Sequence, residues 1–198
     1  MTRRLRGHAH GFTILELLFV VAIAGTLAAI AVPHSRRALD DFQTRSAARY
    51  LAQRIGSARF DAIRRSTTHG FRFTADVPGY TLTAVADGNR NGLRTSELAS
   101  GVDRVLSEPE RLDWHFAGVA FGLLDGVPDA DGLATGSTDG VRIGPSRLLA
   151  VHPDGTATSG TLYLRGRGRS QYAVRVLGVT GRVRILKFDH LRGRWTDV

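Results

Sequence analysis

The sequence predicts an α+β protein in which a long N-terminal helix packs on an antiparallel β-sheet or a small β-sandwich. Three features predict it: an apolar run, a stretch of helical periodicity directly after it, and short alternating segments in the rest of the chain. We therefore divide the chain into a basic leader (1–11), a transmembrane helix segment (12–33), an amphipathic helix (34–66) and a β-rich globular domain (67–198).

The apolar run at 12–33 is long enough to cross a bilayer as a helix, which needs about 20 residues. Three arginines, Arg3, Arg4 and Arg6, precede the run, and the first eleven residues contain no acidic residue. The positive-inside rule then places the N-terminus in the cytoplasm and the chain from Pro33 onward on the other side of the membrane.

A single carboxylate, Glu16, interrupts the run and limits how the run can be interpreted. A charge inside a membrane helix costs about 3 kcal/mol, so Glu16 needs a cationic partner. A secretory signal peptide would offer Ala29-Ile30-Ala31 as its cleavage site, but the length of the run and the acid inside it argue against that interpretation. A permanent anchor explains the length but not the glycine, Gly11, shortly before the acid.

A third interpretation rests on the residues that open the run. A basic leader is followed by Gly11-Phe12-Thr13-Ile14-Leu15-Glu16. This pattern resembles the class III signal of type IV pilins and type II secretion pseudopilins. The resemblance implies that a prepilin peptidase cleaves between Gly11 and Phe12 and methylates the new N-terminus. It also implies that Glu16 pairs with the N-terminal amine of a neighbouring subunit, and that Pro33 takes the place of a helix-kinking proline.

The same resemblance implies partners and a location. The partners are a prepilin peptidase, other pilins or pseudopilins, and the inner-membrane assembly machinery. The protein would cross the inner membrane once, with a periplasmic C-terminal domain, and join a periplasmic filament after assembly. The chain contains no cysteine, so the periplasmic domain must be held by packing alone. The C-terminal disulfide loop common in major pilins is missing, which favours a minor subunit.

Periodicity predicts the elements after the run. Apolar residues recur at spacings of three and four in the second helix: Ala47, Leu51, Ile55, Ala58 and Ala62. Alternating segments bounded by glycine, aspartate and proline predict strands. These segments are Phe71-Phe73, Tyr80-Val85, Leu112-Phe116, Leu148-Val151, Thr161-Leu164, Tyr172-Val176 and Val183-Leu186. The segment Leu123 to Gly144 is rich in glycine and aspartate, which predicts a mobile surface loop.

Short motifs follow one another in the globular half. They are Asp87-Gly88-Asn89-Arg90-Asn91-Gly92 with Glu97, His152-Pro153-Asp154-Gly155 with Gly160-Thr161-Leu162, and Val179-Thr180-Gly181-Arg182-Val183-Arg184. In this order they resemble features of the GspH/FimT group. The resemblance implies a minor pseudopilin of a type II secretion system or a minor pilin of a type IV pilus, and so a filament component.

The first of these motifs also resembles half of a calcium loop. Asp87, Asn89 and Asn91 alternate as oxygen ligands would. The bidentate acid expected at the end of such a loop falls on Leu98, and Glu97 comes one residue early. An asparagine- and glycine-rich turn explains the same letters. We therefore expect no metal site, with calcium at these three residues as the alternative.

Basic residues are concentrated at the C-terminus. Residues 66–160 carry 7 arginines against 12 acids, whereas residues 161–198 carry 9 basic residues against 2 acids. Arginines in this region could contact DNA phosphates, with Tyr163, Tyr172 or Trp195 stacking on bases. The arginines concerned are Arg165, Arg167, Arg169, Arg182 and Arg184. The competing interpretation is a solvated basic rim that pairs with the acidic middle segment of this or a neighbouring subunit.

The residue pattern does not indicate an enzyme. The seven histidines are scattered, and no nucleophile and base or pair of carboxylates has a spacing typical of catalysis. We expect no catalytic residue and no cofactor. The resulting expectation is a minor pilin or pseudopilin that assembles through its N-terminal helix. The alternative is a DNA-binding minor pilin that acts in DNA uptake through its basic C-terminal region.

Overall fold

The computed structural model describes residues 13–77 and 79–198. The chain divides into two compact units, Met1–Leu39 and Asp40–Val198. Helix α1, Ile14–Arg65, is 52 residues long and contributes to both. The predicted leader and its cleavage site at Gly11 and Phe12 lie outside the described residues.

The first unit consists, in its described part, of the N-terminal part of α1. Every side chain from residue 13 to residue 39 is exposed. Pro33 lies within the helix, and the helix continues on both sides of it. Two hydroxyls bond back to carbonyls one turn earlier, Thr26 to Ile23 at 2.8 Å and Ser35 to Ala31 at 3.0 Å. In the described part of the chain, α1 is the helix long and apolar enough to cross a membrane.

The second unit is an antiparallel β structure on the C-terminal part of α1. After the helix its elements are β1 (His69–Asp76), β2 (Gly79–Ala86), α2 (Thr95–Ser100), β3 (Arg104–Val105), α3 (Leu112–His115), β4 (Ala120–Phe121), β5 (Val141–Arg142), β6 (Leu148–Val151), β7 (Gly160–Arg165), β8 (Gln171–Leu177), β9 (Arg182–Asp189) and β10 (Arg194–Asp197). One sheet has the order β3-β2-β1-β6, and the other has the order β10-β9-β8-β7-β4, with β5 also paired to β7.

The two sheets and α1 share one hydrophobic core. The helix contributes the stripe that periodicity predicted, Ala47, Leu51, Ile55, Ala58 and Ala62, all of which are buried. Phe71 and Phe73 from the first sheet and Leu162, Leu164, Tyr172 and Val174 from the second sheet pack in the same core. The predicted α+β class, with a long helix packed on antiparallel sheet, is confirmed.

One predicted strand is a helix. Leu112-Phe116 alternates in hydrophobicity, but the segment forms α3, and the Phe116 N–H donates to the Leu112 carbonyl at 2.8 Å. Leu112 is 3% exposed, whereas Trp114 is 65% exposed. A strand would have placed both on one face. Leu112 and Phe116 are four residues apart, and one helical turn places both side chains on the same side.

The prediction of a surface loop at 123–144 is wrong for several of its apolar residues, although Leu133 is exposed. Leu123 and Val127 are buried in a second cluster on the far side of β7, β8 and β9, with Phe188 and Trp195. The Ala130 N–H donates to the Tyr163 hydroxyl at 2.9 Å. The segment therefore covers one face of the second sheet although little of it is regular secondary structure.

Candidate functional sites

The start of α1 explains part of the pattern around Glu16. Thr13 precedes the first helical residue, and its hydroxyl accepts the Glu16 N–H at 3.2 Å. A threonine at the cap with a glutamate three residues later is the sequence pattern of a capping box. Glu16 itself is exposed, as is the apolar surface around it. Its carboxylate also lies in the first helical turn, where the helix dipole favours negative charge.

The basic C-terminal residues form two groups at opposite ends of the second sheet. Arg165 lies across from Gln171 at one end of β8, and Arg182 lies across from Leu177 at the other end. Six residue steps along β8 separate the two positions, about 20 Å at the rise of a strand. The structure therefore brings Arg165, Arg167 and Arg169 together, and Arg182 and Arg184 together, but does not unite the two groups.

The first group is held by an aspartate of the helix. The backbone N–H groups of Arg167, Gly168 and Ser170 donate to the Asp40 carboxylate at 2.7, 3.2 and 3.4 Å. A Cβ on Gly166 would lie 2.3 Å from an Asp40 carboxylate oxygen, so a side chain at that position would collide with the clamp. The turn between β7 and β8 is thus fixed through its backbone. Its three arginines are exposed, and the side chains of Arg167 and Arg165 lie over Gly118 and Gly122.

A second aspartate, Asp41, bonds to the neighbouring strands. Lys187 Nζ lies 2.7 Å from Asp41 Oδ1, and the Tyr172 hydroxyl donates to the same oxygen at 3.0 Å. Burial and the negative charge of Asp41 raise the pKa of Tyr172. Burial acts to lower the pKa of Lys187, but the hydrogen bond to Asp41 and the contact with Tyr172 outweigh it, and the pKa is raised. Lys187 is therefore engaged within the subunit.

The second group sits on the edge of the sheet. Arg182 and Arg184 alternate along β9 and share one face, as the sequence predicts, and both are exposed. Arg184 Nε donates to Asp197 at 3.1 Å, and a second guanidinium nitrogen contacts the other carboxylate oxygen. The hydrogen bond from Arg184 lowers the pKa of Asp197. Arg175, in the same sheet, pairs with Asp131 of the acidic middle segment at 2.7 Å. Part of the basic rim is thus neutralised within the molecule.

The aromatic residues near these arginines in sequence are not placed for stacking on a base. Tyr163 is 2% exposed and Tyr172 is 1% exposed, because both belong to hydrophobic clusters. The Trp195 indole N–H donates to the Pro128 carbonyl at 3.0 Å, and its ring packs against Phe188. Contacts of the basic groups with a polyanion would therefore be made by arginine side chains.

The loop that resembles a calcium site is organised by its own backbone. The Asp87 carboxylate accepts N–H groups from Asn89 at 3.0 Å, Arg90 at 2.7 Å and Gly92 at 2.7 Å. This is the arrangement of an Asx-type turn, in which a buried carboxylate replaces backbone partners. A Cβ on Gly88 would lie 1.8 Å from the Val102 carbonyl, so the loop also requires glycine there.

The two asparagines of this loop face Glu97. The Asn89 amide donates to Glu97 at 3.0 Å, and the Asn91 amide donates to the other oxygen at 2.8 Å. Buried Asp103, just before β3, supports the loop by accepting N–H groups from Gly88 and Arg94. Among residues 13–77 and 79–198, no group of three or more His, Cys, Asp or Glu side chains is arranged to hold a metal ion.

Sequence reasoning missed Asp40 and Asp41, which bind the basic region to the helix. The signal that could have drawn attention to them is their position, since they are adjacent acids in a helical stretch that otherwise carries eight arginines and one further aspartate between residues 34 and 65. Their partners lie about 130 positions later in the chain, and no local pattern connects the two.

Comparison with known proteins agrees with the N-terminal pattern. Residues 6–32 match the family model described as the prokaryotic N-terminal methylation motif. The pilin-like protein PilA1 of Thermus thermophilus is 42% identical over 94 residues, which are 46% of this chain and 53% of PilA1. The chain thus matches about half the length of this curated relative.

A solved structure is also similar. The crystal structure of the minor pseudopilin EPSH from the type II secretion system of Vibrio cholerae matches 80% of this chain and 94% of its own, with 15% identity and a TM-score of 0.40. The methylation motif, the apolar helix that follows it and the PilA1 match agree with one another. The chain thus carries the prokaryotic N-terminal methylation motif and is similar, over about half its length, to a pilin-like protein.

Proposed function

We propose that this protein is a minor pilin or pseudopilin of the GspH/FimT type, a structural subunit of a type IV pilus or type II secretion filament. Before assembly the subunit resides in the inner membrane, with its N-terminus in the cytoplasm and its C-terminal domain in the periplasm. A prepilin peptidase cleaves after Gly11 and methylates Phe12. The subunit then joins other pilins or pseudopilins through its N-terminal helix, with the help of the inner-membrane assembly machinery.

The observation that supports this proposal most directly is the methylation motif at residues 6–32, whose residues from Ile14 onward form the start of one continuous helix. The first part of that helix is apolar and exposed, while one face of its later part packs against two sheets. An exposed apolar surface of this length requires either lipid or the helices of other subunits around it. In a filament subunit, lipid surrounds this helix before assembly, and the helices of other subunits surround it afterwards. This role is structural and requires no catalytic residue and no cofactor.

Processing is tested by the mass of the mature protein. Replacing Gly11 with a bulky residue, for example Gly11→Val, should leave the full-length precursor in the inner membrane. The wild-type protein should lose residues 1–11 and gain one methyl group on Phe12. A mature protein that begins at any other residue would overturn the class III interpretation. Cleavage of Gly11→Val at the wild-type rate would contradict the role given to the glycine.

The role of Glu16 is tested by two substitutions that separate charge from helix capping. Glu16→Gln keeps a side chain that can close a capping box, whereas Glu16→Ala does not. If the carboxylate neutralises the N-terminal amine of a neighbouring subunit, both variants should insert into the membrane, and both should be lost from filaments. Membrane fractionation measures insertion, and pull-down of sheared filaments measures incorporation.

The two variants make the outcome decisive. Incorporation of Glu16→Gln at the wild-type level, with Glu16→Ala excluded, would assign Glu16 to the helix cap that Thr13 begins. Incorporation of both would remove Glu16 from assembly altogether. Failure of both to insert would show that the substitution damages the membrane helix itself.

A second function, DNA binding in DNA uptake, is favoured by the turn between β7 and β8. Its arginines, Arg165, Arg167 and Arg169, are exposed and form no ion pair with residues of the described ranges 13–77 and 79–198. The Asp40 clamp fixes the backbone that carries two of them. Positive charge presented on a fixed turn can contact phosphates with little loss of backbone entropy on binding.

Salt dependence tests this second function. The full-length protein in detergent micelles should bind duplex DNA, and log K should fall with log salt by a slope of about −0.9 per phosphate contacted. Arg165→Gln, Arg167→Gln and Arg169→Gln together should reduce that slope by about three units if each contacts one phosphate. Arg182→Gln with Arg184→Gln should reduce it by about two units if the other end of the sheet also takes part. An unchanged slope in both variants, or no binding at low salt, would leave only the filament role.

A further inference from the structure

A trough beside β9 is not explained by either function. It has an open volume of about 590 Å³ and is lined by Ala52 of α1, by Arg182, Val183, Arg184 and Ile185 of β9, and by Asp197 and Val198. We call this set the β9 trough. It lies where the pairing of β9 with β10 ends, so one side of it is the edge of a sheet.

The edge of β9 in the trough has no neighbouring strand within residues 13–77 and 79–198. β10 pairs with β9 from Asp189 to Leu186, and the last bond runs from the Val198 N–H to the Ile185 carbonyl at 3.1 Å. Backbone groups alternate in direction along a strand, so Val183 presents its N–H and C=O to the same side as Ile185. An edge of this kind is a template for an added strand.

The walls of the trough determine what kind of strand it can accept. Val183 and Ile185 pack toward the core, and Ala52 faces them from α1, so this side is apolar. Arg45 and Arg59 lie seven residues before and after Ala52 and therefore on the same stripe of the helix. The Arg59 guanidinium carbon would lie 3.7 Å from a Cβ on Gly181, next to the start of β9. One basic side chain, Arg59, thus lies near the start of β9 on the helix side.

The other face of the edge carries Arg182 and Arg184. Strand β10 already shows how an acid is recognised there: Asp197 lies opposite Leu186, and its carboxylate reaches diagonally to Arg184. A strand that continued along β9 would offer the same diagonal contact to Arg182, which is exposed and forms no ion pair with residues of the described ranges. Acidic residues at alternate positions would face the arginines, and an apolar residue between them would face Val183.

We propose that the β9 trough binds an extended acidic segment of a partner polypeptide by β-strand addition. The segment pairs antiparallel with the backbone at Val183, its acidic side chains contact Arg182 and Arg184, and its apolar residue covers Ala52. Hydrogen bonds from the backbone supply affinity, and the alternation of acidic and apolar side chains supplies specificity. This proposal goes beyond the filament role and does not require that the N-terminal helix be assembled.

The test uses the full-length protein in detergent micelles and a fluorescein-labelled peptide with the sequence Thr-Glu-Val-Glu-Val-Glu. Fluorescence anisotropy measures binding. A second peptide carries N-methyl groups on both valines, which keeps charge and composition but removes the N–H groups that would face β9. Loss of backbone hydrogen bonds should weaken binding about tenfold or more. A peptide held only by its charge would bind equally well in both forms.

Two double variants locate the site. Arg182→Gln with Arg184→Gln should weaken peptide binding about fivefold, as expected for two exposed ion pairs. Arg165→Gln with Arg167→Gln removes the same charge from the opposite end of the sheet and should leave the affinity within about twofold. Hydrogen exchange provides a second measurement, because the amide of Val183 should become protected when the peptide binds and not when its N-methylated form is added.

Three results would overturn the proposal. The first is no binding of the peptide at about 1 mM, because a specific strand contact of this size should have a dissociation constant below that concentration. The second is equal affinity for the N-methylated peptide. The third is binding of a DNA duplex of about 20 base pairs that is lost in Arg182→Gln with Arg184→Gln while the peptide does not bind, which would assign the trough to nucleic acid instead.

Discussion

The clamp between Asp40 and the β7–β8 turn yields a prediction whose size follows from the structure. Asp40→Ala removes the acceptor of three backbone N–H groups at 2.7, 3.2 and 3.4 Å. Net contributions of about 1 kcal/mol per bond would sum to about 3 kcal/mol. Arg167 and Gly168 are exposed, so water can replace part of the loss, and we expect about 2 kcal/mol.

The matched control is Asp61→Ala. Asp61 lies on the same helix and pairs with the exposed arginines Arg64 at 3.1 Å and Arg65 at 3.9 Å, so its removal should cost less than about 1 kcal/mol. Both substitutions replace aspartate with alanine inside a helix, so the gain in helix propensity is the same and cancels in the comparison. The difference between the variants therefore reports the clamp.

Thermal unfolding of the full-length protein in micelles, followed by near-UV circular dichroism, measures this difference. For a domain of this size, about 2 kcal/mol corresponds to a fall in Tm of about 4–8 °C. The Tm of Asp40→Ala should therefore be lower than the Tm of Asp61→Ala by most of this fall of about 4–8 °C. Equal Tm values in the two variants would refute the reasoning, because they would show that water replaces the carboxylate without loss.

Two further predictions concern backbone space and alkaline pH. Gly88→Ala should destabilise the protein by about 1–3 kcal/mol because its Cβ would lie 1.8 Å from the Val102 carbonyl. Gly56→Ala, in a helix interior with nothing within 4 Å of the added Cβ, should instead stabilise the protein by about 0.5–1 kcal/mol. Chemical denaturation of the two variants should therefore give changes in unfolding free energy of opposite sign. Burial and Asp41 raise the pKa of Tyr172 above its unfolded value, so the stability linked to its protonated form is fully present below about pH 10 and is lost as the pH rises through the folded pKa. Tyr172→Phe should therefore lose less stability than wild type as the pH rises above about 10 in denaturant titrations, and an equal loss would contradict the assignment.

The N-terminal motif, the amphipathic stripe of α1 and most of the strands could be predicted from the sequence, because each depends on residues only a few positions apart. Ala47, Leu51 and Ile55 repeat every four residues, and that spacing alone places them on one face of a helix. The alternation of Val183 and Ile185 with Arg182 and Arg184 likewise follows from the period of a strand. Short segments such as Leu112-Phe116 fit both the helical repeat and the two-residue repeat of a strand, so their conformation depends on what they pack against.

The arrangement of the basic region required the tertiary structure. The order of strands places Arg165 and Arg182 at opposite ends of the second sheet, although they are seventeen positions apart in one basic stretch of the sequence. The clamp at Asp40 joins residues 127 to 130 positions apart. Local periodicity determines which face of an element a side chain occupies, but contacts between distant elements depend on strand register and packing, and only the folded chain decides those.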